Sequence, residues 1–133
     1  MTQRTKFKIV VYVLLFIIAC LVLAWFGIKI AQKSRDYQRL GDLKVIQSSL
    51  SSYYLKYNTY KVPGCNDNSL LSNCVAKGEV DFSGLKDPKN NGIYRYVIYN
   101  LSDSDYQIGF SLESKTASVE PGGHIYGKNG LVE

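Results

Sequence analysis

The chain has 133 residues and a mass of 15.0 kDa, with 46% hydrophobic and 20% charged residues. That allows one small domain, excludes a disordered chain and excludes a collagen-like repeat. The net charge of +5 raises the question of nucleic acid, but the charge is unevenly placed. Residues 1–44 hold eight Lys and Arg against Asp36 and Asp42, whereas residues 45–133 hold eight bases against nine acids. The basic excess therefore collars an apolar block, where anionic headgroups lie. No nucleic acid partner is expected.

The apolar block runs over residues 9–28, from Ile9 to Ile28, with no charged residue. As a helix it measures roughly 30 Å, the thickness of a bilayer core. Lys8 and Lys29 bracket it, and Tyr12, Trp25 and Phe26 lie near its ends, where aromatic rings suit the interface. It reads as an uncleaved signal anchor, too long for the h-region of a removed signal peptide. Ile17-Ile18-Ala19-Cys20 resembles a lipobox, but the run stays apolar through residues 21–26, where a lipoprotein turns polar. A core helix of this length could hardly be enclosed by so small a domain. Membrane lipid is the expected surrounding.

Beyond the block, apolar residues continue at Leu40, Leu43, Ile46, Leu50, Tyr53 or Tyr54, and Tyr57, in steps of three and four. That spacing predicts a helical stripe. Arg39, Asp42, Lys44, Gln47, Ser51 and Lys56 are expected on the opposite side. Gly41 costs about 1 kcal/mol against alanine, too little to break the pattern. One helix is therefore expected over about residues 5–58, its second half packing on something else.

Val62-Pro63-Gly64 ends the helix, and a polar loop follows with Cys65 and Cys74 in a C-x8-C spacing among Asn, Asp and Ser. The pair looks like a loop closed by a disulfide, which contributes about 2–3 kcal/mol and needs an oxidising compartment. The alternative is a metal site, for which two thiols and the distant His124 make a poor ligand set. Lys and Arg counts on the two sides of the anchor do not decide orientation; the cysteines place the C-terminal domain outside.

Residues 93–99 are rich in aromatic and β-branched side chains, and Tyr106, Ile108, Phe110 and Leu112 alternate with polar or small residues, so both read as strands. Residues 116–119 and 124–126 read as further short strands, separated by Pro121-Gly122-Gly123. The predicted fold is α+β: a long N-terminal helix, membrane-spanning in its first half, packed on a three- or four-stranded antiparallel sheet. The expected organisation is a cytoplasmic basic leader (1–8), a transmembrane helix (9–28) and an extracytoplasmic domain (29–133). That domain comprises a helix stem (29–60), a loop (61–92) and the sheet (93–133). Leu40, Leu43, Ile46, Leu50, Tyr53 and Tyr57 are the expected helix–sheet contacts.

The stretch Arg35-Asp36-x-x-Arg39-x-x-Asp42-Leu43-Lys44-x-Ile46-Gln47, followed by Tyr53-Tyr54 and Asn58-Thr59-Tyr60, resembles the amphipathic helix of bacterial type IV pilins and pseudopilins. It is most similar to the major pseudopilins of type II secretion. Leu85-Lys86-Asp87-Pro88, Tyr94-Arg95-Tyr96 and the alternating segment 106–113 resemble the loop and sheet of that branch.

The resemblance implies a structural subunit or accessory of a pilus or secretion pseudopilus in the bacterial cytoplasmic membrane, with other pilin-like subunits as partners. The alternative is a non-assembling anchored binding module on the same fold. Family members carry a leader ending in glycine, cut before phenylalanine or methionine, and a glutamate a few residues into the apolar segment. Here Lys6-Phe7 stands at the expected cut, and nothing acidic lies between Lys8 and Lys29. An intact N-terminus and assembly through a partner pilin are the consequent expectations. The stem face holding Arg35, Arg39 and Lys44 is expected to meet acids of a neighbour.

No enzyme is expected: His124 is the one histidine, and nothing supplies a converging base, acid and nucleophile. No phosphate loop, cofactor or small-molecule substrate is indicated. Asn100, Ser102, Asp103 and Asp105 read as a solvated turn in preference to a weak calcium loop. Glu79, Asp81 and Asp87 read as solvated loop carboxylates.

Overall fold

The computed structural model describes residues 3–132. Residues 1 and 2 of the expected leader, and residue 133 of the expected sheet segment, lie outside the described residues. The chain forms two units, Met1–Gln32 and Lys33–Glu133. One helix, α1 (Gln3–Tyr57), supplies the first and opens the second.

In the first unit every residue from 6 to 31 is exposed. Among the described residues α1 is the one helix long and apolar enough to cross a membrane, and none of its most apolar stretch is buried within the protein. Such a surface has no solvent in water; a bilayer core supplies one.

In the second unit α1 is amphipathic. Leu43, Ile46, Leu50 and Tyr53 are buried at the predicted steps of three and four, and Leu40 packs against the core from its margin. Tyr57 departs from the expectation. It is exposed, makes a tilted stack on Tyr53 at 4.6 Å between ring centroids, and has the Lys56 ammonium over its ring. The helix ends there: Asn58 takes a left-handed φ of 55°, a conformation asparagine tolerates at a helix C-terminus. Tyr60 takes the vacant core place, stacking on Tyr54 and meeting Tyr106 edge-on.

The chain then forms β1 (Ser69–Leu70), a 3-10 turn (Leu71–Asn73), β2 (Val75–Ala76) and β3 (Val80–Asp81) inside the segment expected to be loop. β4 (Val97–Tyr99), β5 (Gln107–Leu112), β6 (Gly122–Gly127) and β7 (Gly130–Val132) follow. The main sheet is antiparallel and five-stranded, in the order β1-β4-β5-β6-β7, and β2 pairs with β3 alone. Tyr96, Ile98, Tyr106, Ile108, Phe110 and Leu112 line its buried side against the α1 stripe, which is the expected α+β arrangement.

The sheet has five strands where three or four were expected, because β1 and β7 extend it at its two edges, and three further details also differ. Residues 93–96 are not strand, and Ile93 is exposed. Residues 116–119 make a single isolated bridge between Thr116 and Val119. Gly122 and Gly123 do not interrupt the sheet but open β6, opposite Leu112 and Ser111, since glycine keeps both backbone hydrogen-bonding groups.

Candidate functional site

The stripe that buries Leu43, Ile46 and Leu50 extends one turn further back, and there it carries charge. Asp36 and Arg39 are both fully buried. The Arg39 guanidinium donates from Nε and Nη2 to the two Asp87 oxygens at 2.6 and 2.9 Å. From Nη1 it donates to Asp36 at 2.6 Å and to Glu113 at 2.9 Å. Arg35 completes the group with a second fork, Nε and Nη2 each 2.7 Å from a Glu113 oxygen. Lys89 Nζ lies 3.6 Å from Glu113 and over the Tyr94 ring, whose centroid is 4.8 Å from the Arg39 guanidinium carbon. Three carboxylates thus face three cations, and the ensemble is neutral.

Local backbone geometry holds these carboxylates in place. Asp36 Oδ1 accepts the Glu113 N–H, and Oδ2 accepts the N–H and hydroxyl of Ser114, which fastens α1 to the residue just past β5. Asp87 Oδ1 also accepts the Lys89 N–H at 2.8 Å. One turn along α1, Asp42 accepts the Tyr96 hydroxyl at 2.7 Å. Helix, loop and sheet are therefore clamped at one place by charge-assisted hydrogen bonds with their lone pairs filled, the condition under which a buried ion cluster is tolerated.

Ionisation follows this geometry. The Arg35 fork, opposed by burial and reinforced by Arg39, brings the Glu113 carboxyl down to about 2. Burial works against charge on Asp87, but the Arg39 fork and the Lys89 N–H hold its pKa below the usual carboxylate range. Burial also opposes charge on Arg39, yet the hydrogen bonds it donates to Asp87, Glu113 and Asp36 raise its pKa above the ordinary arginine value. Burial first, then the bond to Asp42, pushes the Tyr96 hydroxyl up.

Arg39, expected on the solvent side of the stem, and Asp87, expected in a solvated loop, are both buried; Asp42, also expected on the solvent side, is half-buried and accepts from Tyr96. Of the three basic residues expected to meet a neighbouring subunit, Arg39 and Arg35 are engaged within the domain, and Lys44 alone is exposed and outside the cluster. The spacing carries the signal: residues 36, 39, 43, 46, 50 and 53 are one buried stripe, charged at its first two positions and apolar at the other four.

The remaining site residues fall as follows. Cys65 and Cys74 are disulfide-bonded, with Cys74 fully buried in the core, while Cys20 is a free thiol exposed on the apolar helix. Ile9 and Ile28 bound the exposed apolar stretch of α1. Asp103 accepts the Thr59 hydroxyl at 2.8 Å, and Ser102 and Asp105 bond one another across the β4–β5 turn. His124 lies on β6, its Nε2 2.7 Å from the Glu120 carbonyl oxygen and its ring beside Phe110. The chain matches no family model, no curated protein and no solved structure.

Proposed function

We propose that the chain is a single-pass, pilin-like or pseudopilin-like structural subunit or accessory of a type IV pilus or type II secretion-like system, its C-terminal domain outside the bacterial cytoplasmic membrane. The observation that carries this reading is the division of α1. Its first part is uncharged from residue 9 to 28 and buries nothing within the protein. Its second part is bound to an antiparallel sheet by an apolar stripe and the Arg39 cluster. An anchor continuous with the core helix of a small exposed domain suits a subunit that packs by helices in lipid and presents its sheet outward. The Cys65–Cys74 disulfide favours an oxidising compartment for the domain.

The test is co-fractionation. The full chain with a C-terminal epitope is expressed in a bacterium carrying a complete assembly system, and filaments are sheared and sedimented. The chain is expected in the filament fraction with the other subunits. Its retention in the membrane under conditions that produce filaments overturns the reading in favour of an anchored, non-assembling binding module.

A further inference from the structure

The five-stranded sheet has a second face, turned away from α1. Strand register aligns Leu70, Val97, Gly109, Ile125 and Val132 in one row across all five strands. The adjoining row places Ser111 opposite Gly123, and Arg95 stands two residues before Val97. Where neighbouring strands would normally raise side chains, Gly109, Ser111 and Gly123 leave a trough of about 810 Å³. Tyr99 lies down across Gly109, so closely that a Cβ there would sit 2.5 Å from its ring. A Cβ on Gly123 would meet only the Ser111 hydroxyl, at 3.9 Å, so the space above it is open.

The charge at this surface has one sign. Arg95 borders both the trough and an adjoining polar recess that contains Lys86 and Asn90. Among the described residues neither Arg95 nor Lys86 has a carboxylate within salt-bridge distance. The recess has one acid, Asp87, and Arg39 occupies both its oxygens. The surface is thus an apolar floor with two free cations at one end.

We propose that this trough binds an extended segment of a partner protein in which a carboxylate neighbours apolar or aromatic side chains. The carboxylate would lie at Arg95 and Lys86, and the apolar side chains over Gly123 and against the ring of Tyr99, which covers Gly109. Five strands about 4.8 Å apart span roughly 19 Å, the length of about six extended residues. An open surface of that length suits a peptide chain better than an enclosed small molecule. Every residue of the trough belongs to the second unit, and the proposal does not rest on filament assembly.

The experiment uses the full chain in lipid nanodiscs against a phage-displayed library of random decapeptides, with empty nanodiscs subtracted. Enrichment of peptides with Asp or Glu beside aromatic or aliphatic residues is expected. An enriched peptide should bind the Gly123→Trp and Arg95→Glu variants at least tenfold more weakly by fluorescence anisotropy. Gly123 is extended and its surroundings are open, so the indole fills the trough without displacing the core, and unchanged circular dichroism checks this. No enrichment, enrichment without acidic residues, or equal binding to Gly123→Trp overturns the proposal. Self-association of the chain that Gly123→Trp abolishes, with the peptides inert, would place a second copy in the trough and overturn it also.

Discussion

The two parts of α1 are built by opposite rules. Residues 9–28 are uniform around the helix, carry no charge and bury nothing within the protein. Residues 33–57 are divided, with one side buried to completeness and the other left to solvent. A uniform helix can sit in a uniform solvent, with no face of it preferred over another. The divided helix has one orientation, fixed by Leu43, Ile46 and Leu50 and by the Arg39 cluster. Polarity therefore specifies geometry in the second part and is excluded from the first.

The sharpest test of that contrast removes the central cation. Arg39→Leu leaves Asp36, Asp87 and part of Glu113 without their partner in a buried place, a loss of about 3–5 kcal/mol. For a domain of this size that approaches the whole stability. Thermal unfolding of the full chain in detergent is expected to shift strongly downward or lose its cooperative transition. Leu14→Ala, in the uniform part, is expected to leave the domain transition unchanged. Equal sensitivity at both positions would erase the distinction.

Much of this architecture is legible in the sequence, and the exceptions have separate physical causes. The stripe from Leu43 to Tyr53 and the alternation through β5 are repeated apolar signals, and repetition identified both. β1, β2 and β7 have two or three residues each, too few to establish a period. Their pairing partners supply what a period cannot: Leu70 lies against Val97, far along the chain, and β7 folds back on β6 through a tight turn between Gly127 and Gly130. Arg39 and Asp87 depart from expectation because charge alone is no mark of exposure. Opposite charges that neutralise one another can be buried together. Tyr57 was misplaced for a simpler reason: the helix ends at it, and Tyr60, from the following segment, occupies the core.

A smaller effect is expected at the disulfide. Cys65→Ser with Cys74→Ser removes a link across nine positions and should lower domain stability by about 2–3 kcal/mol, read from urea midpoints. Non-reducing peptide mapping of the native chain should find these two linked and Cys20 free. Free thiols at both would refute the bridge and remove the support it gives to an external domain.

Acid should loosen the divided part alone. The Glu113 carboxyl sits at about 2 in the folded chain against an ordinary 4.5. A group depressed on folding stabilises fully above its unfolded value, and that contribution is lost as pH falls through the folded one. Domain stability should therefore fall between about pH 5 and pH 2, with Asp87 acting in the same direction. Glu113→Gln should flatten the slope across that window while lowering stability at neutral pH. Helicity of the apolar part in detergent should be unaffected, since no carboxylate lies within residues 9–28. A wild-type slope in the variant would refer the acid sensitivity to other groups.

The smallest effect is expected at Tyr57, one of two tyrosines that pack on each other at the end of α1. Tyr53 is buried among the core residues, so Tyr53→Ala opens a cavity and should cost about 3–5 kcal/mol, the range for large aromatic truncations. Tyr57 keeps 45% of its surface exposed. Its gain is the tilted stack on Tyr53, of the kind worth about 0.5–1.5 kcal/mol. Tyr57→Ala should therefore shift the unfolding midpoint by a fraction of the Tyr53 effect. The double variant should cost less than the two singles added, because the stack is counted in both. Strict additivity would mean that the rings are neighbours without coupling, and that Tyr57 belongs with the solvent-facing side of the helix.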